Sequence, residues 1–229
     1  MTLVEDDIID FSQYFPEEDE FINLYEFSPI HPYRLIAVGP SGSGKTNVIV
    51  DMLTRKVYFD NLYIIAGDPE DKFYQLLETI INDTNEHIES GDIVRKNGPI
   101  CFEISDDINF DTEKLARDKQ NIVIVDDKVC EKHQEAIAEL FIRIRKLNGS
   151  VIYITQSFYE TPKIMRDNSN YIFLFNLNDE QTSNRILRDK CVGYLDKAKS
   201  IYKEVHKEPY KFMMIDNKKF NLRNCYKIL

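Results

Sequence analysis

The chain has 229 residues, 43% hydrophobic and 12% aromatic, with 39 acidic against 29 basic side chains and a formal net charge of −10. This fits one large α/β domain with a well-buried core and excludes a disordered chain. No run of 18 apolar residues is present, which excludes an ordinary transmembrane helix, and an acidic chain taken whole argues against nucleic acid as a partner.

The charge is unevenly spread. Residues 1–30 hold nine acids (Glu5, Asp6, Asp7, Asp10, Glu17, Glu18, Asp19, Glu20, Glu26) and no Lys or Arg. This segment lacks the basic start of a signal or transit peptide. With Phe11, Tyr14, Phe15, Phe21, Leu24, Tyr25 and Phe27 it reads as an arm that lays aromatics on the body or on a partner. The other 199 residues carry a net charge of only −1, and residues 181–229 hold twelve bases against five acids. The domain boundaries expected are therefore 1–30 for the arm and 31–229 for the body. Cys101, Cys130, Cys191 and Cys225 lack metal-ligand spacing, so reduced thiols in an intracellular protein are expected, and no zinc site.

From residue 33 apolar strands alternate with amphipathic helices. Residues 33–38 (YRLIAV) predict a strand and 46–53 a helix. Residues 62–66 (LYIIA) predict a second strand. Residues 72–82 predict a helix with Phe73, Leu76, Leu77, Ile80 and Ile81 on one stripe. Residues 83–98 are polar and turn-rich. Residues 99–104 suggest a strand and 112–119 a short helix. A buried strand at 121–125 precedes a long helix over 131–147 with Ala136, Leu140, Ile144 and Leu147 in phase. Strands at 150–155 and 171–175 follow, then helices at 179–188 and 194–205. Residues 209–215 and 220–223 flank a turn at Asp216 and Asn217 and suggest a C-terminal β-hairpin. The pattern is that of a doubly wound, mostly parallel sheet with helices on both faces.

Gly39, Pro40, Ser41, Gly42, Ser43, Gly44, Lys45 and Thr46 fit G-x-x-x-x-G-K-[ST] at every fixed position, between a strand and a helix. The glycines let the backbone wrap around phosphates, and the exposed N–H groups point at the anion with the helix N-terminus behind them. Lys45 brings charge to the β- and γ-phosphates, and Thr46 a hydroxyl for Mg²⁺. These residues make the fold a P-loop NTPase.

Residues 122–127 (IVIVDD) run four β-formers into two acids. Such a strand is expected beside the P-loop strand. Asp126 is assigned to the metal, and Asp127 to the position of a group that polarises the attacking water, where a Glu is common. Gln156, at the tip of the strand after the long helix, is placed to hydrogen-bond phosphate or to position water. Arginine suits the charge of a transferring phosphoryl group, in cis or from a neighbouring subunit. Arg145 is the favoured candidate and Arg166 the reserve, ahead of Arg143, Arg185 and Arg188.

In order, GPSGSGKT, IVIVDD, IRIRKLNGS and VIYITQSFYETPKIMRDNSNYIFLF resemble the genome-packaging ATPases of large DNA viruses, virophages and Polinton-type elements, the poxvirus-type branch of the FtsK–HerA superfamily. LYIIAGDPEDKFY suits the second strand of that branch. The resemblance spans about residues 33–223. It implies Mg-ATP hydrolysis coupled to pumping double-stranded DNA into a preformed capsid at its vertex. It also implies a homo-oligomeric ring, pentamer or hexamer, in which an arginine at the position of Arg145 reaches the ATP of the next subunit. Asp127 departs from the common Glu. Competing readings are a cellular translocase of the same superfamily, a small-molecule P-loop kinase, and a non-catalytic capsid adaptor holding ATP as a structural ligand. The acidic arm is expected to cover a basic surface or to dock a partner, and deletion of residues 1–30 to raise DNA affinity at low salt.

Overall fold

Apolar side chains run almost unbroken through RLIAV, NLYIIA, NIVIVD, GSVIYIT and YIFLF, and each run forms a strand buried on both faces. The structure, a computed structural model, describes residues 21–25, 27–126, 134–217, 219 and 221–228. Among the described residues nine strands form one sheet: β1 (Arg34–Val38), β2 (Asn61–Ala66), β3 (Cys101–Ser105), β4 (Asn121–Asp126), β5 (Gly149–Thr155), β6 (Tyr171–Phe175), β7 (Phe212–Asp216), β8 (Asn221–Asn224) and β9 (Lys227–Ile228). The helices are α1 (Lys45–Arg55), α2 (Lys72–Glu89), α3 (Gln134–Arg143), α4 (Lys163–Asn168), α5 (Glu180–Lys190) and α6 (Leu195–Val205).

The strand order is β3-β2-β4-β5-β1-β6-β7-β8-β9. The strands from β3 to β6 pair in parallel, and β7, β8 and β9 continue the sheet antiparallel, with the expected C-terminal hairpin at β7–β8. One expectation fails here. The IVIVDD strand, β4, does not lie beside the P-loop strand β1, because β5 is inserted between them. Local apolar pattern identifies a buried strand but carries no information on its neighbours in the sheet.

Side chains alternate between the two faces. Ile36 and Val38 of β1 pack with Phe141, Met165 and Ile186 under the α3–α6 layer. Leu35 and Ala37 pack with Ile49, Met52 and Leu77 under α1 and α2. Each such buried side chain contributes about 1.5–3 kcal/mol relative to exposure, so the parallel strands are rigid mounts for the loops at their ends.

The helix boundaries differ from expectation for local reasons. α2 starts where Asp71 accepts a hydrogen bond from the Phe73 N–H (2.8 Å), and its buried stripe is Tyr74, Leu77 and Ile81, while Leu76 is exposed. It runs on to Glu89 through residues expected to be turn-rich, since Asn85 binds both backbone groups of Ile100 (2.7 and 2.9 Å) and anchors the added turns. Residues 112–114 make one 3₁₀ turn where a longer helix was expected. The helix expected over 131–147 is α3 followed by a 3₁₀ turn, Ile144–Leu147, ended by Asn148 at φ 50°. Its buried face is Ile137, Leu140, Phe141 and Ile144, with Ala136 exposed. Residues 131–133 lie outside the described residues.

Of the acidic segment, residues 21–25 and 27–30 are described, and they lie against the body. The Ile22 N–H donates to Gln120 Oε1 (2.7 Å). Arg223, in a buried ion pair with Asp216 (3.1 Å), donates to the Phe27 carbonyl (2.7 Å). Cys101, Cys191 and Cys225 are free thiols, and Cys130 lies outside the described residues.

Candidate active site

β1 is central in the sheet, so the loop after it opens onto the carboxyl ends of β5 and β4 on one flank and of β6 on the other. Gly39 turns the chain out of β1, and its N–H still donates to the Thr155 carbonyl of β5 (3.2 Å). A Cβ on Gly39 would sit 2.6 Å from Cβ of Phe175 and 2.7 Å from Oγ of Ser43, so only glycine fits between β6 and the loop. Gly44, at φ 91°, is the N-cap of α1 and makes no side-chain cap, which leaves the first-turn N–H groups of α1 facing the cleft. Gly42 is also left-handed, at φ 75°. Lys45 Nζ donates to the carbonyls of Gly39 (2.7 Å) and Pro40 (2.9 Å), which hold the ammonium over the loop. The Ser43 hydroxyl is buried close to Gly39 and has no hydrogen-bond partner in the structure.

A cleft of about 560 Å³ opens beside this loop. It brings together Ser41, Gly42, Lys45 and Thr46 of the loop, Asp126 at the tip of β4 and Gln156 at the tip of β5. The inserted strand places Gln156 between the phosphate loop and the acid. Lys45, Thr46, Asp126 and Gln156, predicted from sequence, thus share one cavity. Asp127 lies outside the described residues.

Sequence reasoning missed the groups that shape the cleft from outside the motifs. Tyr74 of α2 donates its hydroxyl to Asp126 Oδ2. Its ring is a core residue on the helix stripe, so periodicity alone gives it a packing role. Asp71, Phe73, Asn47 and Tyr210 also line the cleft. The sequence signal nearest to this contact is the DPEDKFY stretch, whose last residue is Tyr74 itself.

The arginine candidates lie elsewhere. Arg145 is exposed in the 3₁₀ turn before β5, at the amino ends of the strands. β5 spans seven residues, so Arg145 is on the order of 20 Å from the cleft of its own chain. Burial and, second, the charge of Arg145 lower the pKa of Arg34 at that same end. Arg166 of α4 donates from Nε to the Thr161 carbonyl (3.0 Å) and lies over the rings of Phe158 and Tyr159. Arg185 stacks on Tyr159 at 4.0 Å, and Arg143 pairs with Glu139 at 2.7 Å. None of these, nor Arg188, is among the described residues that line the cleft.

Thr46 and Asp126 offer one hydroxyl and one carboxylate oxygen set on the same cavity wall, hard donors of the kind Mg²⁺ takes together with substrate phosphates. Among the described residues no cluster of three or more His, Cys, Asp or Glu could hold a metal by itself. The donor set therefore fits a cation that arrives with a nucleotide.

A phosphate loop at the end of a central parallel strand, an acid two strands away and an amide on the strand between define a P-loop NTPase. The family profile described as Poxvirus A32 protein matches residues 25–228, and the chain belongs to that family. Among solved structures the fold is similar to the genome packaging NTPase B204 from Sulfolobus turreted icosahedral virus 2 in complex with ATP-gammaS, at 16% identity over 86% of this chain and 98% of that one, with a TM-score of 0.55. The complex of that protein with AMPPCP gives 15% identity, the same coverage and a TM-score of 0.56. B204, the DNA-packaging ATPase from Sulfolobus Turreted Icosahedral Virus, gives 16% identity over 87% of this chain and 100% of that one, with a TM-score of 0.52. At these identities the likeness is one of fold. A comparison with curated proteins finds no match. Among the described residues no helix is long and apolar enough to cross a membrane.

Proposed function

We propose that this chain is a viral genome-packaging ATPase, a ring-forming motor that hydrolyses ATP to drive double-stranded DNA into a capsid. The observation that carries the reading is the meeting of Lys45, Thr46, Asp126 and Gln156 on one cleft at three neighbouring strand ends. Family membership and the fold of B204, described as a genome packaging NTPase and studied with ATP-gammaS, support the choice of substrate and task.

In this reading the loop N–H groups and the α1 N-terminus cradle the phosphates, and Lys45 leaves its two loop carbonyls for the β- and γ-phosphate oxygens. Thr46 and Asp126 would hold Mg²⁺, which when bound neutralises charge on the phosphates. Gln156 orients the attacking water, and Asp127 takes its proton. The placement of Arg145 at the opposite end of β5 favours action on a neighbour's nucleotide rather than its own. Hydrolysis then depends on ring assembly, with five or six copies around the DNA at the capsid vertex. Residues 1–30 act as an arm on a motor domain of residues 31–229, in the cytoplasm or viral factory of the host cell.

The test is ATP turnover with and without double-stranded DNA for the wild type and Lys45→Ala. Loss of the lysine is expected to lower turnover by about 10²–10³-fold, the usual effect of removing one preorganised charge-stabilising group. Equal, high turnover in both would sink the catalytic assignment. Tight ATP binding with slow, DNA-independent turnover in the wild type would favour the adaptor reading.

A further inference from the structure

The catalytic groups all lie on one flank of the phosphate loop, that of β5 and β4. The other flank is built by β6 and the antiparallel β7. Phe175, at the carboxyl end of β6, pairs with Phe212, the first residue of β7, so the connection from α6 into β7 arrives beside the phosphate loop. Pro209, Tyr210 and Lys211 form this approach. Extended structure was expected from residue 209, yet β7 begins at Phe212, because Tyr210 is left-handed at φ 60°. A bulky aromatic residue rarely adopts that conformation, and strained residues of this kind concentrate at ligand sites.

The strain does not serve to bury the ring. Tyr210 is 68% exposed. One part of the ring lies against Gly44, where an added Cβ would be 3.3 Å from Tyr210 Cδ1. The ring lines the phosphate cleft and also a second depression of about 560 Å³ over α1, and Asn47 lines both. An exposed aromatic face therefore stands at the end of the cleft away from Asp126 and Gln156. A nucleotide whose terminal phosphate lies toward Gln156 extends its base in that direction.

We propose that Tyr210 is the stacking platform for the purine base of the bound nucleotide, and that its left-handed backbone sets the ring over Gly44 for that purpose. This rests on the nucleotide reading of the cleft. It assigns base recognition to the β7 approach, outside all the sequence motifs. Stacking tolerates any base with a π-face, so ATP and GTP both gain from it.

The experiment is calorimetric titration of the full chain with ATP and, separately, with inorganic tripolyphosphate, for the wild type, Tyr210→Ala and Tyr210→Phe. Tyr210→Ala is expected to bind ATP about 5- to 150-fold more weakly, the range for loss of one base–aromatic stack. Its tripolyphosphate affinity stays at the wild-type value, and Tyr210→Phe keeps ATP affinity. Unchanged ATP affinity in Tyr210→Ala overturns the proposal. So does an equal loss for ATP and tripolyphosphate, which would make Tyr210 a support of the phosphate loop. A wild type that binds neither ligand refutes the nucleotide reading itself.

Discussion

The two ends of the parallel strands use similar polar residues in opposite ways. At the amino ends Asp60 is buried and accepts from Tyr58 Oη (2.8 Å), the Gln120 N–H (2.9 Å) and Asn97 Nδ2 (2.9 Å), with Arg95 at 3.7 Å. Asn61 donates to Asn121 (2.8 Å), and Ser150 meets His31 Nδ1 (2.8 Å). This rim is closed, and Asp60, Asn61, Asn121 and Ser150 find their partners within the chain. At the carboxyl ends Lys45, Thr46, Asp126 and Gln156 line an open cavity. Lys45 and Asp126 have partners of their own, yet these groups border open space that a ligand can enter, whereas the rim groups are enclosed. The contrast separates the structural end of the sheet from its chemical end, although motif-like acids occur at both.

Substitutions at the two ends should therefore fail differently. Asp60→Ala strips a buried network and leaves Arg95, itself mostly buried, without its carboxylate. The expected loss is about 3–5 kcal/mol of stability, read from urea unfolding, with nucleotide affinity of the folded fraction unaltered. A loss below about 1 kcal/mol, typical of exposed pairs, would break the contrast. At the other end, Tyr74→Phe keeps the core ring and removes the hydroxyl donated to Asp126. A hydrogen bond to a charged group is worth about 1.5–3 kcal/mol, so turnover should fall roughly 10- to 100-fold. The Mg²⁺ concentration for half-maximal turnover should shift as well, beside the drop of several degrees in melting temperature that the lost hydrogen bond costs. An unshifted Mg²⁺ requirement would reduce Tyr74 to packing.

The sequence made the chemical end more legible than the structural one. Gly39 to Thr46 is contiguous, and its geometry is set by local backbone demands, so the motif could be read directly. Asp126 and Gln156 could be read because each ends a continuous apolar strand. The insertion of β5 between β1 and β4 could not, since strand order is decided by packing and crossover over long separations. Tyr74 and Tyr210 reach the cleft through tertiary contacts, and nothing in a helical stripe or a Pro-Tyr-Lys approach announces that. The closed rim was invisible for the same reason: Asp60 meets Gln120 across sixty residues.

A smaller effect tests the carboxyl end by titration. His206, after α6, is partly buried on the wall shared with the phosphate loop, and its Nδ1 lies 2.8 Å from the Tyr202 carbonyl. Burial lowers its pKa below the ordinary 6.5. The unfolded chain then binds the proton more readily than the folded one, so stability is fully present above about pH 6.5 and declines as pH falls below it. His206→Gln should flatten that part of the stability profile. A slope unchanged by the substitution would assign the acid sensitivity to other groups.

The smallest expected effect lies at the amino end, where residues 21–25 settle against Gln120. Arg34 and Arg145 share that end, and residues 1–20, which precede the packed segment in the sequence, hold eight acids. If the acids screen a basic surface there, deleting residues 1–20, which leaves the packed segment in place, should raise affinity for double-stranded DNA severalfold at low salt. The gain should vanish near 1 M salt, where the Debye length is about 3 Å. Unchanged or weaker binding at low salt would mean that the acids face away from the DNA path, and the closed end would then be purely structural.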